Sequence, residues 1–272
     1  MKTLKDHVII YDDECPMCDL YTGAFVKTKM LPENGREPYS WLPASLRKHI
    51  DSQKARNGIA LVNSKTGKVE YGIDSLFTIL GHRFQFLKPL FSFAPFRLLM
   101  KYFYSFISYN RRVIVPADKF EGRNSCTPDF NLKYRIAYIL FTWLATSFVL
   151  NAYSFLLSPL IPGSNLYREF MVCGGQIVFQ AATMTFIRKD RLVHYLGNMM
   201  TISFAGAILL LPALGIHKLA LISSPLFYAA WFLGVAGLML IEHIRRMKIL
   251  GIHWIASVSW VVYRLTILLI IL

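Results

Sequence analysis

The sequence predicts an α/β domain at residues 1–115, a linker at residues 116–131 and an α-helical transmembrane domain at residues 132–272. Two observations support this class. Hydrophobic residues make up 54% of the chain and are concentrated in its second half, a higher apolar content than a soluble domain has. The first half instead alternates short β-rich runs with helix-compatible segments. We therefore expect one folded domain followed by a bundle of about five membrane-spanning helices.

The first predicted strand leads into the most specific motif of the chain. Residues 8–11 are a short β-rich run, residues 12–14 are an acidic turn, and Cys15-Pro16-Met17-Cys18 opens a helix-compatible segment at residues 19–29. Strand, turn, CxxC and helix is the order in which thioredoxin-like folds present a reactive thiol. The spacing therefore predicts a thioredoxin-like fold with a redox-active cysteine pair.

The positions of the two cysteines predict their roles. Free backbone N–H groups and the positive end of the helix dipole stabilise a thiolate at a helix N-terminus, so we expect Cys15 to be the nucleophile. Cys18 follows one turn later and is placed to resolve a mixed disulfide. This hypothesis requires sulfur atoms that solvent or a partner surface can reach. A structural metal half-site and two inert thiols are the alternatives, although the chain has no second CxxC to complete a zinc site.

The N-terminal part resembles the thiol-disulfide oxidoreductase DCC family, which is named for an Asp and two Cys that correspond to Asp12, Cys15 and Cys18. The likeness continues at residues 68–76 and in the Tyr, Asn and Arg pattern of residues 104–111, and it covers residues 5–115. The resemblance implies a thioredoxin-like fold, thiol-disulfide oxidoreductase activity, and a role for Asp12 as a proton acceptor or an orienting group. The family has Gly after the Asp, whereas this chain has Asp13, whose negative charge would raise a nearby cysteine pKa.

The remaining elements of the domain follow from local signals. Residues 32–38 are expected to be a loop and residues 43–53 a helix. Residues 58–63 and 68–71 are predicted strands, and the turn between them indicates a hairpin. Asp74 is expected to cap a helix that runs to about residue 80. Before the third strand, many thioredoxin-like proteins have a cis-proline, and this chain has Asn57-Gly58.

Residues 84–114 are rich in aromatic side chains interleaved with Lys and Arg. Prolines and spaced charges disfavour a spanning helix there. An amphipathic helix in the bilayer interface and an ordinary helix that packs its aromatic residues on the sheet remain equally open. No nucleic-acid recognition motif accompanies the charge, so we expect no nucleic-acid partner.

Five apolar segments of near-spanning length follow, at residues 134–158, 169–187, 192–212, 218–241 and 249–271. Most of the flanking Lys and Arg residues fall on one side, which the positive-inside rule makes cytoplasmic. The first residues also lack the apolar core of a signal peptide. We therefore expect an integral protein of the bacterial inner (cytoplasmic) membrane, with lipid as a partner and a cytoplasmic N-terminal domain. This topology also explains the net charge of +14.

Polar residues inside the predicted spans are candidates for function. One stripe on the second segment should face the bundle interior, and it consists of Cys173, Gln176, Gln180 and Thr183. His194, His243 and His253 are expected to meet at the cytoplasmic end, where they are candidate cofactor-binding residues for haem, a metal or a quinone. Histidines that are simply hydrated at the membrane interface are the alternative.

The leading hypothesis is a membrane-anchored thiol-disulfide oxidoreductase with a protein thiol or disulfide, or a membrane complex, as its partner. Its rival is a helical bundle that binds or transports a small molecule or quinone, with the N-terminal domain as a regulatory or assembly module. A third hypothesis is a non-enzymatic subunit of a membrane complex. Cys126, in the linker, is interpreted as a bystander.

Overall fold

The computed structural model describes residues 3–117, 126–158, 160–163 and 165–272. The chain divides into two compact units, Met1–Tyr134 and Arg135–Leu272, which we call the N-terminal unit and the helical unit. Part of the predicted linker, residues 118–125, lies outside the described residues. The domain limits given above stay a prediction.

The N-terminal unit contains a mixed four-stranded sheet with the order β2-β1-β3-β4. Its strands are β1 (His7–Tyr11), β2 (Arg36–Pro38), β3 (Ala60–Asn63) and β4 (Val69–Tyr71). β1 pairs in parallel with β2 and antiparallel with β3, and β3 pairs antiparallel with β4. The predicted hairpin is therefore confirmed. The loop expected at residues 32–38 is wrong in part, because the last three of these residues form β2 at the edge of the sheet. β2 is held there by its pairing with β1, and its own sequence has no alternating pattern that would predict a strand.

In the described part of this unit the sheet is joined by the α-helices α1 (Pro16–Lys27), α2 (Ala44–Arg47), α3 (Ser52–Asn57), α4 (Ile73–Arg83), α5 (Lys88–Ser92) and α6 (Ala94–Ile114). The single helix predicted at residues 43–53 is wrong. Asp51 begins a new helix there, since its carboxylate accepts the N–H groups of Gln53 and Lys54. Asp74 lies in the first turn of α4, and Gly72 is the residue that precedes the helix.

The sheet is covered by apolar side chains on both faces, as the alternation of a strand requires. Ile9 and Leu61 pack in one cluster with Ile79 of α4. The neighbouring residues Ile10 and Ala60 pack in a second cluster. The sheet therefore forms a rigid base from which β1 leads directly into the cysteine motif.

Tyr104 attaches α6 to this base. Its hydroxyl group accepts the N–H of Ile59 at 2.9 Å, beside the start of β3. Gly72 has a φ of +64°, and a Cβ atom at this position would lie 3.2 Å from the Tyr104 ring. Glycine is therefore required for both backbone conformation and close approach. This contact holds the middle of α6 beside the start of β3.

The helical unit is formed by α7 (Leu132–Ser154), α8 (Leu166–Arg188), α9 (Leu192–Lys218), α10 (Pro225–Leu250) and α11 (Ile255–Ile271). In the part of the chain that the structure describes, three helical stretches are long and apolar enough to cross a membrane: Leu132–Leu157, Tyr167–Lys218 and Pro225–Leu250. The second stretch contains α8 and α9, and α11 is an apolar helix of shorter length. Membrane-spanning character is thus supported for three stretches.

Candidate functional site

The cysteine motif lies at the junction of β1 and α1. Cys15 is the N-cap residue of α1, and its Sγ atom accepts the backbone N–H of Cys18 at 3.4 Å. Pro16 occupies the first turn, where its missing N–H costs no hydrogen bond. The Thr22 hydroxyl donates to the carbonyl oxygen of Cys18 at 2.7 Å. The predicted position of Cys15 at the N-terminus of the helix is therefore confirmed, and its sulfur atom is the hydrogen-bond acceptor that caps the helix.

Both sulfur-bearing residues are buried, which contradicts the expectation of reachable thiols. Cys15 is 0% exposed and Cys18 is 5% exposed. Asp12 and Glu14, from the turn before them, are buried as well. A partner as large as a protein cannot reach the Cys15 sulfur in this conformation, so any exchange requires the covering groups to move.

The buried Asp12 carboxylate is paired with two guanidinium groups from the end of α6. Arg111 Nη2 lies 3.0 Å from Asp12 Oδ2, and these side chains are only 5% and 2% exposed. Arg112 Nη2 lies 3.0 Å from the same oxygen and 3.0 Å from Glu14 Oε2. Two acidic residues of the turn that precedes the cysteines are thus paired with basic residues about 100 positions later in the chain.

Arg111 joins four parts of the N-terminal unit. Besides Asp12, it donates to the carbonyl oxygens of Arg56 at 3.0 Å and Cys126 at 2.7 Å, and to the Ser108 hydroxyl at 3.1 Å. A buried guanidinium with several acceptors is well solvated by the protein, which offsets the cost of its burial. Arg111 therefore fixes the turn that carries Cys15 against α3 and α6.

The two thiols have different acidities. Hydrogen bonds from the Cys18 thiol and backbone, together with the charge of Arg111, lower the pKa of Cys15 to about 7, although burial acts in the opposite direction. The hydrogen bond to Cys15 and then burial raise the pKa of Cys18 well above its ordinary value. Cys15 is therefore the thiol that ionises near neutral pH, as a nucleophile must.

The charges around the thiols act on Asp12 in opposite directions. Burial raises the pKa of Asp12 above its ordinary value, and the guanidinium groups of Arg111 and Arg112 offset only part of this increase. The neighbouring Asp13 carboxylate accepts the Ser40 hydroxyl at 2.6 Å. Among the charges that act on Cys15, that of Asp12 raises the pKa of the thiol. The net shift of the Cys15 pKa is nevertheless downward, so the increase predicted from Asp13 is not found at Cys15.

A metal ion fits this cluster poorly. Among the described residues, Asp12, Cys15 and Cys18 form a group whose possible ligand atoms lie within 4.8 Å of one another. Both Asp12 oxygens, however, already accept guanidinium N–H groups. A cation would be repelled by two adjacent arginines, and three donors leave a structural zinc site incomplete. The same charges suit an anion, such as a thiolate.

The three histidines predicted to share a cofactor are not brought together. His243 is fully buried in the helical unit, whereas His194 and His253 are exposed. Their ring nitrogens do not form a group of ligand atoms of the kind that Asp12, Cys15 and Cys18 form. Of the predicted polar stripe on α8, Gln176 and Gln180 are buried, whereas Cys173 and Thr183 are only partly buried.

Two further cysteines lie outside the pair. Cys126 is buried, and its thiol donates to the carbonyl oxygen of Ala55 at 3.5 Å. Burial raises the pKa of Cys126 to about 12, so this thiol stays protonated. Cys173 belongs to the helical unit. The interpretation of Cys126 as a bystander fits this acidity.

Sequence reasoning missed Arg111 and Arg112 as site residues. Two features of the sequence could have indicated them. Residues 12–14, immediately before the cysteines, are acidic, and the arginine pair lies near the end of a distant segment that has no acidic residues. Opposite charges of this kind are expected to meet when both lie next to buried elements. Their separation along the chain hid the pairing.

The fold and site together define a protein with three candidate membrane-spanning stretches and an α/β unit that holds a buried cysteine pair beside an arginine pair. Comparison with family models, curated proteins and solved structures finds no significant match to this chain. The resemblance to the DCC family accordingly stays a prediction.

Proposed function

We propose that the chain is a membrane-anchored thiol-disulfide oxidoreductase in which Cys15 attacks and Cys18 resolves. The observation that carries the proposal is the capping position of Cys15, whose sulfur accepts the Cys18 N–H and has a pKa of about 7. The strand order β2-β1-β3-β4, with β1 leading into the cysteine helix, supports a thioredoxin-like fold for the unit. A cytoplasmic location for this unit and five spans, with α11 as the last, belong to the same proposal.

The reaction begins with the Cys15 thiolate. It attacks one sulfur of a partner disulfide, so that a Cys15–partner disulfide forms, the partner disulfide breaks, and the other partner sulfur leaves as a thiolate. Cys15 then carries no negative charge, and the hydrogen bond and repulsion that raise the pKa of Cys18 are both lost. Cys18 gives its proton to the departing thiolate and attacks the Cys15 sulfur. The partner leaves reduced by two electrons, and Cys15 and Cys18 form a disulfide.

Asp12 acts in this scheme as an orienting group rather than a proton acceptor. Its oxygens are occupied by Arg111 and Arg112, and Oδ1 also accepts the Glu14 N–H at 3.2 Å. These bonds hold the cationic groups beside the thiols. The Arg111 charge then stabilises the Cys15 thiolate in a site from which water is excluded.

Burial makes access the slow part of the reaction. Because Cys15 is fully buried, exchange proceeds from a locally opened conformation, and its rate is set by how often that conformation forms. Small reagents should therefore react with Cys15 faster than bulky reagents of equal intrinsic reactivity. Equal rates for both sizes in the folded protein would contradict an opening step.

The proposal is tested with the full chain in nanodiscs and a fluorogenic glutathione disulfide as the probe. Cys15→Ser is expected to abolish reduction of the probe, and Cys18→Ser is expected to trap a mixed disulfide at Cys15 that mass spectrometry detects. Cys173→Ser is the matched control, because it removes a thiol of the helical unit and should retain full activity. Unchanged activity in Cys15→Ser would end the assignment.

A second candidate function concerns the helical unit, where a buried polar network supports binding of a small molecule. Gln180 Oε1 accepts the Tyr195 hydroxyl at 2.7 Å and the Ser259 hydroxyl at 3.2 Å. The Tyr195 hydroxyl lies 3.3 Å from His243 Nε2. Within the described residues, the amide nitrogens of Gln176 and Gln180 are buried without a hydrogen-bond partner. Unused donors inside a bundle suit a ligand with acceptor oxygens, such as a quinone.

This candidate is tested by mass spectrometry of the lipid-soluble compounds that co-purify with the full chain. A bound quinone should be present at near-stoichiometric amounts and lost in Gln180→Leu. Thr185→Val, an exposed position on the same helix, is the matched control and should retain the compound. A purified protein that carries no such compound and takes up no added quinone would refute it.

A further inference from the structure

The first part of α6 presents apolar side chains outward. Between 41% and 60% of the residue surface is exposed at Leu98, Leu99, Tyr102, Phe103 and Ile107. Successive members of this set are one, three or four positions apart, so they share one side of the helix. A surface helix of a soluble protein has the opposite arrangement, with its apolar side toward the core.

Several polar side chains of α6 contact other elements of the N-terminal unit instead. Arg97 pairs with Asp74 at 2.8 Å, and the Tyr104 hydroxyl accepts the Ile59 N–H. At the end of the helix, Arg111 contacts Asp12. The inward side is thus fixed by polar contacts, and the helix cannot turn its apolar side to the core without breaking them.

The apolar surface extends to the residues before α6. Phe86 is 78% exposed, and Phe93 is 58% exposed. In contrast, Phe77, Phe91 and Phe96 stack on one another at centroid distances of 4.3 to 6.4 Å and hold α5 against α4. We call the surface formed by Phe86, Phe93, Leu98, Leu99, Tyr102, Phe103 and Ile107 the aromatic face. An exposed apolar surface of this extent marks an interaction site.

The charge around the aromatic face indicates what covers it. Residues 83–117 contain six basic residues and no Asp or Glu. Lys88 and Lys101 are exposed in this segment. Aromatic rings with Lys and Arg beside them fit the headgroup region of a bilayer that contains anionic lipid. The same chain also contains three stretches long and apolar enough to cross a membrane, which would bring the N-terminal unit close to a bilayer.

We infer that the aromatic face lies in the headgroup region of the membrane and binds anionic phospholipid. This inference is independent of the redox activity proposed above. It is tested on the full chain in nanodiscs of phosphatidylcholine with or without phosphatidylglycerol. The photoreactive residue p-benzoylphenylalanine replaces Phe103, and mass spectrometry identifies what it labels. The matched control carries it in place of Trp41, an aromatic residue of the same unit that is 66% exposed.

Phospholipid adducts are expected at Phe103 with a yield about tenfold above that at Trp41, because only the aromatic face enters the bilayer interface. The yield should rise with phosphatidylglycerol, and Lys88→Glu combined with Lys101→Glu should remove that rise. Equal lipid yields at the two positions would overturn the inference. Labelling of a second copy, or of the helical unit of the same chain, in place of lipid would overturn it as well.

Discussion

Replacing Arg111 by Met removes the cation that connects the cysteine turn to α6. The Arg111 and Asp12 side chains are 5% and 2% exposed, so their ion pair is little screened by water. Removal of one partner of a buried pair costs about 3 to 5 kcal/mol. Arg112 remains beside Asp12, so we expect the free energy of unfolding of the N-terminal unit to decrease by the lower end of this range, about 3 kcal/mol.

The same substitution should weaken the thiolate. The Arg111 charge is one of the causes that lower the pKa of Cys15 to about 7, and its loss should raise that pKa. At pH 7 the ionised fraction of Cys15 would then fall below the value of about one half that a pKa of about 7 gives. The pH dependence of Cys15 alkylation measures the pKa, and labelling of Cys126 against urea concentration measures stability.

Arg97→Met is the matched control for both measurements. Arg97 lies on the same helix and forms an ion pair with Asp74, but these side chains are 57% and 39% exposed. An exposed pair of this kind contributes at most about 1 kcal/mol. If Arg111→Met behaved like Arg97→Met in stability and in the pKa of Cys15, the role assigned to Arg111 would be refuted.

Three further predictions follow from the same structure. The pKa of Cys15, about 7, lies below its ordinary value of 9.0, so its thiolate stabilises the reduced fold above pH 9 and this contribution is lost as the pH falls through 7. The difference in unfolding free energy between wild type and Cys15→Ser should therefore grow by about 2 kcal/mol from pH 7 to pH 9, and a flat difference in urea titrations would contradict this. Gly72→Ala should destabilise the N-terminal unit by about 1 to 3 kcal/mol, measured by the same titration, because of its positive φ and the nearby Tyr104 ring. Elemental analysis should find no stoichiometric zinc, and a chelator should leave the urea midpoint of unfolding unchanged, because two arginines are paired with the Asp12 carboxylate. A midpoint that depends on metal would support the metal-site alternative instead.

Local signals predicted much of the architecture of the N-terminal unit. β1, the β3–β4 hairpin and the helix after Cys15 lie where residue patterns placed them. The errors arose where tertiary contacts decide. β2 has three residues and depends on β1 for its hydrogen bonds, and Asp51 divides a helix-compatible stretch by capping a new helix.

The chemistry of the site was predicted less completely, for a physical reason. The capping position of Cys15 depends on neighbours in the sequence, and spacing alone predicts it. Its burial and its pairing environment depend on α6, which reaches the turn only after folding. Hydrophobic patterning likewise predicted helices in the second unit, although the fourth predicted segment, residues 218–241, ends before α10 does at Leu250. The burial of His243 and the exposure of His194 and His253 depend on how the helices pack, which histidine positions near helix ends do not encode.

The contacts of Arg111 also determine when the thiol site comes into being during synthesis. Its acceptors include residues 12, 56 and 126, so the set is complete only after the ribosome has made the chain through Cys126. The first candidate span begins at Leu132, almost immediately afterwards. The full set of Arg111 contacts can therefore form only as the first hydrophobic helix is being made.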